Sequence, residues 1–170
     1  MENQKISLVY GFYGALLGVA FYFMLLVSGN SPWSSASWMG AWIPGVTAFL
    51  SIKKHQALRT EPFISFSQIF VIALIAILTQ AAVYNIMVLF VGNVIDTGAI
   101  EMYHAEVLEY TVEMKDLFGA EIYDKMLKEI EKTTLSSLAF GDFIYKIIGG
   151  VIVSLILSTT LKKNKPSINE

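Results

Sequence analysis

The chain has 170 residues, of which 55% are hydrophobic and 15% are charged, with a formal net charge of −2 at pH 7. Soluble domains carry about 25% charged residues, so the composition argues against a soluble protein, and no basic stripe is present for nucleic acid. The absence of cysteine excludes disulfides, thiolate metal sites and a thiol nucleophile.

The few charged residues are unevenly distributed. No Asp, Glu, Lys or Arg occurs from Ile6 to Ile52 or from Pro62 to Ile95. A charge at the centre of a membrane helix costs roughly 2.5–3.5 kcal/mol on the insertion scale, whereas a soluble helix needs a charged outer face. The charge-free stretches therefore predict an integral membrane protein whose first partner is the lipid bilayer.

Four segments are predicted to cross the membrane, each judged against the roughly 20 apolar residues that a span requires. In chain order they are approximately residues 6–28, 36–52, 65–91 and 135–161. The second segment is short, and Pro44 with Gly45 is expected to kink it. The predicted fold is therefore an all-α, integral membrane four-helix bundle.

Residues 96–134 form an insert of a different character between the third and fourth segments. Ten acidic residues and four lysines lie within 96–132. Apolar residues recur there at helical spacing, namely Met114, Phe118, Ile122, Met126 and Ile130. The pattern predicts one or two amphipathic helices, broken at Gly119. Their apolar face could pack on itself, lie on the outer leaflet or dock on a partner, and an acidic face disfavours the leaflet.

Basic residues predict the orientation of the chain. The first connection, residues 29–37, contains none. The basic residues of the other connections and ends are Lys5, Lys53, Lys54, Arg59, Lys162, Lys163 and Lys165. With four spans they all lie on one side, which the positive-inside rule identifies as the cytoplasm. Both termini are then cytoplasmic, and the insert is extracytoplasmic.

The fourth segment contains the two charged residues expected inside a span, Asp142 and Lys146. Their spacing of four places them on one helix face. Together with Gln80 and Asn85 of the third segment, they are the candidate intramembrane polar or ion-pair residues. A proton or ion step is one interpretation. A structural ion pair is favoured, because both charges lie in the outer part of the segment and can reach the headgroups.

Two series of small residues are spaced for close helix packing. They are Gly11, Gly14 and Gly18 in the first segment, and Gly150, Ser154 and Ser158 in the fourth. Small residues let helix backbones approach, and serines can bond across the contact. Packing within the chain is favoured over dimerisation.

No constellation of catalytic residues is visible in the sequence. It lacks a phosphate loop, a nucleophile elbow and paired catalytic carboxylates. His55 and His104 are isolated in opposite loops, where we expect both to be solvated, and neither has a second ligand at metal spacing. We therefore predict no enzyme activity, no cofactor and no metal site.

Several features together resemble a known family. They are residues Ile64–Phe70, the acidic helical insert of Glu101–Lys132, Gly150–Ile156 and the ending Leu161–Lys163. In their order the chain resembles the bacterial four-span membrane family catalogued as domain of unknown function 4199. The resemblance implies the four-span topology and a location in the bacterial cytoplasmic (inner) membrane. It implies no site residues, because that family has no established activity.

Two functions from different classes follow. The first is a non-enzymatic accessory or interaction protein, whose partner is another membrane protein or a second copy of the chain and whose contact surface is the insert. The alternative is a small transport or channel subunit that uses the polar residues of the third and fourth segments. A membrane-embedded enzyme acting on lipid is the least favoured, because it needs polar side chains that converge at one depth.

Overall fold

The computed structural model describes residues 2–61, 63–95, 97–113 and 115–163. Within these ranges the chain is all-α, as predicted, and its one extended pairing is an antiparallel bridge between Ile64 and Lys163. The helices in chain order are α1 (Glu2–Val27), a 3₁₀ helix (Ser35–Gly40), α2 (Ile43–Ala57), α3 (Phe66–Val94), α4 (Ala99–Glu113), α5 (Lys115–Phe118), α6 (Ala120–Lys132) and α7 (Leu135–Leu161).

Three of the described helices, α1, α3 and α7, are long and apolar enough to cross a membrane. They contain 26, 29 and 27 residues. At about 1.5 Å per residue each exceeds the roughly 30 Å of a hydrocarbon core. The helix α2 has 15 residues and does not reach that length by itself.

The second predicted segment differs from the structure in two ways. The expected kink at Pro44 is wrong, because Pro44 lies in the first turn of α2, where a proline removes no hydrogen bond. The chain before it forms the 3₁₀ helix instead of a continuous α-helix. At the other end α2 continues beyond Ile52 to Ala57, so Lys53 and Lys54 are helical residues.

Local side-chain bonds fix where the later helices begin. Ser65 and Gln68 form a reciprocal capping box at the start of α3, and Thr134 and Ser137 form one at the start of α7. Each box satisfies backbone N–H groups that the first turn leaves unpaired. The predicted break at Gly119 is confirmed, since this glycine has a φ of +74° immediately before α6.

Of the three long helices, α1 and α3 run in the same direction and α7 runs in the opposite one. On α1 and α3, Gly11 faces Ala76 and Gly18 faces Tyr84, so residue numbers rise together and the two helices run parallel. On α3 and α7, the same Tyr84 lies beneath Lys146, whereas the Ile64–Lys163 bridge joins the opposite ends. Residue numbers therefore rise on one helix as they fall on the other, and α7 runs antiparallel to α3.

The helix α2 also runs antiparallel to α1. Ser51 donates a hydrogen bond to Ser7 at 3.2 Å near one end of the pair. Gly40, the last residue of the 3₁₀ helix, faces the ring of Phe21 near the other end. The 3₁₀ helix and α2 together therefore follow α1 over most of its length, and α2 also contacts α3 and α7.

The bundle core consists of two apolar clusters, one toward each end. The first contains Ala48, Ile52, Ile64, Ile69, Ala73 and Ile77. The second contains Ala15, Val19, Tyr22, Tyr84 and Val88. On α3 the two clusters are separated by the buried Gln80. A polar layer thus begins at Gln80 between the two apolar clusters, and it extends to Asn85 and Lys146 beside Tyr84 of the second cluster.

The insert between α3 and α7 is a helical hairpin, whose helices α4, α5 and α6 contact one another. His104 on α4 lies with Nε2 3.2 Å from the carbonyl oxygen of Thr133, just after α6. His104 is half-buried, so its side chain remains partly open to solvent. No described residue of α6 is buried, and Met114 of the predicted apolar series lies outside the described residues.

Candidate intramembrane polar site

Asp142 and Lys146 form an ion pair on one face of α7, in which Lys146 donates to Oδ2 of Asp142. Their side chains are 25% and 23% exposed. The Lys146 ammonium also lies 4.2 Å from the centroid of the Tyr84 ring on α3, and an aromatic face attracts a cation. The lysine is therefore held between the Asp142 carboxylate and an aromatic ring of the neighbouring helix.

Gln80 and Asn85 are buried on α3, with 3% and 7% of their surface exposed. Asn85 donates through Nδ2 to the carbonyl oxygen of Ala81 at 2.9 Å. Neither Gln80 Oε1 nor Asn85 Oδ1 has a hydrogen-bond partner among the described residues. A buried amide oxygen without a donor costs about 1–3 kcal/mol, so these two oxygens are acceptors available to a proton donor, a water molecule or a cation.

The four candidate residues form two neighbouring groups. No described hydrogen bond or ion pair joins the amides of Gln80 and Asn85 to the pair on α7. Tyr84 lies between the two groups. It follows Gln80 by one turn on α3, and the face of its ring contacts the Lys146 ammonium. The sequence indicates that Tyr84 shares a face with Gln80 but gives no sign that it supports the lysine. That role depends on the antiparallel register of α3 and α7.

The glycines of α1 lie where neighbouring helices approach most closely. A Cβ on Gly11 would lie 2.5 Å from the carbonyl oxygen of Ala76 and 2.6 Å from Cβ of Thr79. A Cβ on Gly14 would meet Thr47 of α2 and, at 2.9 Å, Gln80 Oε1. The absence of a side chain at Gly14 therefore leaves room for the Gln80 amide, and the backbone of α1 forms one wall of the polar layer.

The small residues of α7 face α3, but the serines bond differently from the prediction. A Cβ on Gly150 would lie 2.5 Å from Cγ2 of Ile77. Ser154 and Ser158 are fully buried. Ser154 donates to the Gly150 carbonyl at 2.7 Å, and Ser158 donates to the Ser154 carbonyl. The expected bonds across the contact are replaced by bonds to the carbonyl four residues earlier in α7, a common alternative for helical serines.

A second group of polar residues lies at the end of the bundle that contains the start of α1. His55 is buried with 4% of its surface exposed, so its predicted solvation is wrong. The physical reason is the extension of α2, which puts His55 on the helix face of Ser51 instead of in a loop. Its Nδ1 lies 2.8 Å from the Ser51 carbonyl oxygen. Because a carbonyl only accepts, this nitrogen carries the hydrogen.

The chain is an all-α membrane protein with three described helices of spanning length and a polar layer inside its bundle. No group of three His, Asp or Glu residues in the described ranges is arranged to hold a metal ion.

The chain belongs to the family described as "Protein of unknown function (DUF4199)", whose sequence profile matches residues 9–163. The predicted family is thereby confirmed. No curated protein and no solved structure matches the chain.

Proposed function

We propose that the protein spans the bacterial cytoplasmic membrane four times, with both termini in the cytoplasm. The register of α2 supports a fourth crossing. Contacts with α1 extend from Ser7–Ser51 at one end to Tyr22–Trp33, whose rings lie 6.0 Å apart, at the other. Ser7 and Tyr22 are 15 residues apart on α1, so these contacts cover a rise of about 22 Å. Lys53 and Lys54 at the end of α2 can reach the headgroups with their long side chains and so complete a crossing of a roughly 30 Å core.

The distribution of basic residues supports the orientation. Lys53 and Lys54 end α2, Arg59 follows it, and Lys163 is joined to Ile64 beside them. All of these lie at the end of the bundle where α1 begins. A cluster of Lys and Arg on one side marks the cytoplasmic face. The hairpin of α4–α6 leaves the bundle at the opposite end and is then extracytoplasmic.

In this arrangement the protein acts by binding, as a non-enzymatic accessory or interaction protein with the hairpin as its contact surface. The main support for this proposal is the apolar surface that remains exposed on the hairpin. Leu117 is 80% exposed, and Leu108, Val112 and Ile122 are 43–52% exposed. Outside lipid, exposed apolar patches of this kind mark interaction sites. The partner is another membrane protein or a second copy of the chain.

Removal of the hairpin surface tests this proposal. The double variant Leu117→Ser, Ile122→Ser should lose partners that are cross-linked to the wild-type chain in intact membranes, because it removes apolar contact area while leaving the bundle unchanged. Glu121→Ala is the matched control on the same helix turn and should retain them. Deletion of residues 103–132 should give the same loss. A cross-linking pattern identical in all four proteins would contradict the proposal.

A second candidate function is a small transport or channel subunit. The observation that favours it is the pair Asp142–Lys146 beside the acceptor oxygens of Gln80 and Asn85 in a membrane-level layer. Intramembrane ionisable groups mark ion and proton pathways. Four spans are few for a transporter, so this function requires assembly of several copies. Proteoliposome flux should fall in Asp142→Asn and in Lys146→Met, and flux unchanged in both variants would remove this candidate.

A further inference from the structure

A cavity of about 350 Å³ lies at the end of the bundle where α1 begins. It is bordered by α1, by the end of α2, by the following loop and by the first turns of α3. The volume falls within the range of ligand pockets in proteins. The cavity is separate from the layer of Gln80 and Asp142, which lies farther along α3.

The outer part of this cavity is polar and cationic. Arg59, Gln68 and Gln4 line it. Arg59 donates from Nη1 to Gln68 Oε1 at 3.3 Å, and the same oxygen accepts the Ser65 N–H at 3.1 Å. Gln68 therefore holds the guanidinium at the cavity while its own amide N–H groups are not used in these bonds. No acidic side chain is among the described residues of the lining, so Arg59 gives the site a net positive charge.

The part of the cavity farther along α3 has an apolar wall formed by Val71, Ile72 and Ile75, and Val71 is 49% exposed. The buried polar residues Ser7 and His55 also line the cavity. From Ser67 at the outer part to Ile75 is a rise of about 12 Å along the helix. Guanidinium and amide donors thus lie at one end, and branched aliphatic side chains form a wall that continues along α3. A freely soluble anion would use only the outer part, whereas an amphiphile would use both.

We propose that this cavity binds the phosphate headgroup and upper acyl region of an anionic phospholipid from the leaflet on that side. The guanidinium of Arg59 pairs with the phosphate, a contact for which its planar donors are suited. Gln68 and Gln4 supply further donors, and the acyl chains lie against Val71, Ile72 and Ile75. Basic pockets between membrane helices on the cytoplasmic side are a known setting for acidic lipid headgroups. The proposal rests on the proposed membrane arrangement for the position of the cavity at a leaflet surface, and it does not depend on the hairpin.

Native mass spectrometry of the full chain with added lipid tests the site. Phosphatidylglycerol and diacylglycerol, which has the same acyl chains but no phosphate, are offered at equal concentration, and the retained adducts are compared. We expect phosphatidylglycerol to be preferred by about tenfold, the size of one charge-assisted contact. Arg59→Gln should abolish the preference, and Arg59→Lys should retain part of it. Lys54→Gln, an exposed basic residue on the same end of the bundle, is the matched control and should keep the full preference.

A second variant tests the apolar part without a change of charge. Val71→Trp should reduce adducts of both lipids, because the indole occupies space along the apolar wall of the cavity. Equal preference in the wild type and in Arg59→Gln would overturn the proposal, as would equal losses in Arg59→Gln and Lys54→Gln. Displacement of the lipid by millimolar inorganic phosphate would identify the ligand as a free anion and overturn it too. Leu117→Ser, Ile122→Ser should leave lipid binding unchanged, which separates this result from the outcome of the hairpin experiment.

Discussion

The bundle and the α4–α6 hairpin both contain helices in contact, but different side chains hold them together. In the bundle, Gly11 and Gly150 bring backbones so close that a single added methyl group would collide with α3. In the hairpin no described residue of α6 is buried, and ion pairs such as Glu121–Lys125 lie on its surface. The bundle is therefore sensitive to volume, whereas the hairpin tolerates change and has surface to offer a partner.

The two regions contain ion pairs of the same spacing, which makes the comparison direct. Asp142–Lys146 and Glu121–Lys125 both join residues four apart on a helix. The first pair is about a quarter exposed and its lysine lies over the Tyr84 ring, whereas the side chains of the second are 84% and 70% exposed. The same kind of ion pair thus packs against a neighbouring helix in one region and is exposed to solvent in the other.

The largest effect is expected from Gly11→Val. Its Cβ would meet the Ala76 carbonyl oxygen at 2.5 Å, and a backbone atom cannot rotate away. We expect the free energy of unfolding in mixed micelles to fall by about 3 kcal/mol. Gly45→Val is the control, since no atom lies within 4 Å of a Cβ built there. Its free energy of unfolding should change by less than about 1 kcal/mol. Similar losses in the two variants would show that close approach of α1 to α3 is unimportant.

A smaller loss is expected from Lys146→Met, which leaves the Asp142 carboxylate without its partner. We expect the free energy of unfolding to fall by about 2 kcal/mol, below the value for a fully buried pair because both side chains are partly exposed. The double variant Asp142→Asn, Lys146→Met removes both charges and should recover about half of that loss. A double variant less stable than the single one would mean that the pair has no structural role.

Adjacent glycines on α7 provide the next test. Gly150→Ala places a methyl group 2.5 Å from Ile77 Cγ2, whereas nothing lies within 4 Å of a Cβ on Gly149. We expect Gly150→Ala to lower the free energy of unfolding by about 1 kcal/mol and Gly149→Ala to raise it slightly, because alanine favours the helix. The test is the difference in the free energy of unfolding between these two variants. A larger loss in Gly149→Ala than in Gly150→Ala would mean that α7 contacts α3 through a different face.

The smallest effect is expected in the hairpin. Lys125→Met removes the exposed pair with Glu121, and such pairs contribute less than about 1 kcal/mol. We expect the unfolding free energy to change by no more than about 0.5 kcal/mol. A loss as large as that of Lys146→Met would erase the distinction between the bundle and the hairpin.

The sequence predicts well those features that depend on composition and local signals. Long charge-free runs indicate the apolar helices, and Gly119 indicates the break inside the insert. Both follow from local physics, either the cost of a charge in hydrocarbon or the freedom of glycine to adopt positive φ. The bounds of α7, Leu135–Leu161, coincide with those predicted for the fourth segment.

Features that depend on neighbouring helices could not be predicted. Lys53 and Lys54 suggest a helix end and hence a loop at His55, but charged residues at a membrane surface can continue a helix. The glycine spacing on α1 indicates close packing without identifying Ala76 or Tyr84 as its targets, because the register between helices is set by tertiary contacts. The position of Lys146 over Tyr84 has the same origin.

The central claim is that α2 crosses the membrane, which puts residue 54 and the hairpin on opposite sides. Because the chain contains no cysteine, single cysteines can be introduced at exposed positions without background. Lys54→Cys and Glu109→Cys are labelled with a membrane-impermeant maleimide in spheroplasts, before and after permeabilisation. The account predicts that the Glu109→Cys variant is labelled from outside and that the Lys54→Cys variant is labelled only after permeabilisation. Labelling of both positions from outside, or of both only after permeabilisation, would contradict the four-span arrangement, whereas labelling of position 54 alone from outside would reverse the orientation.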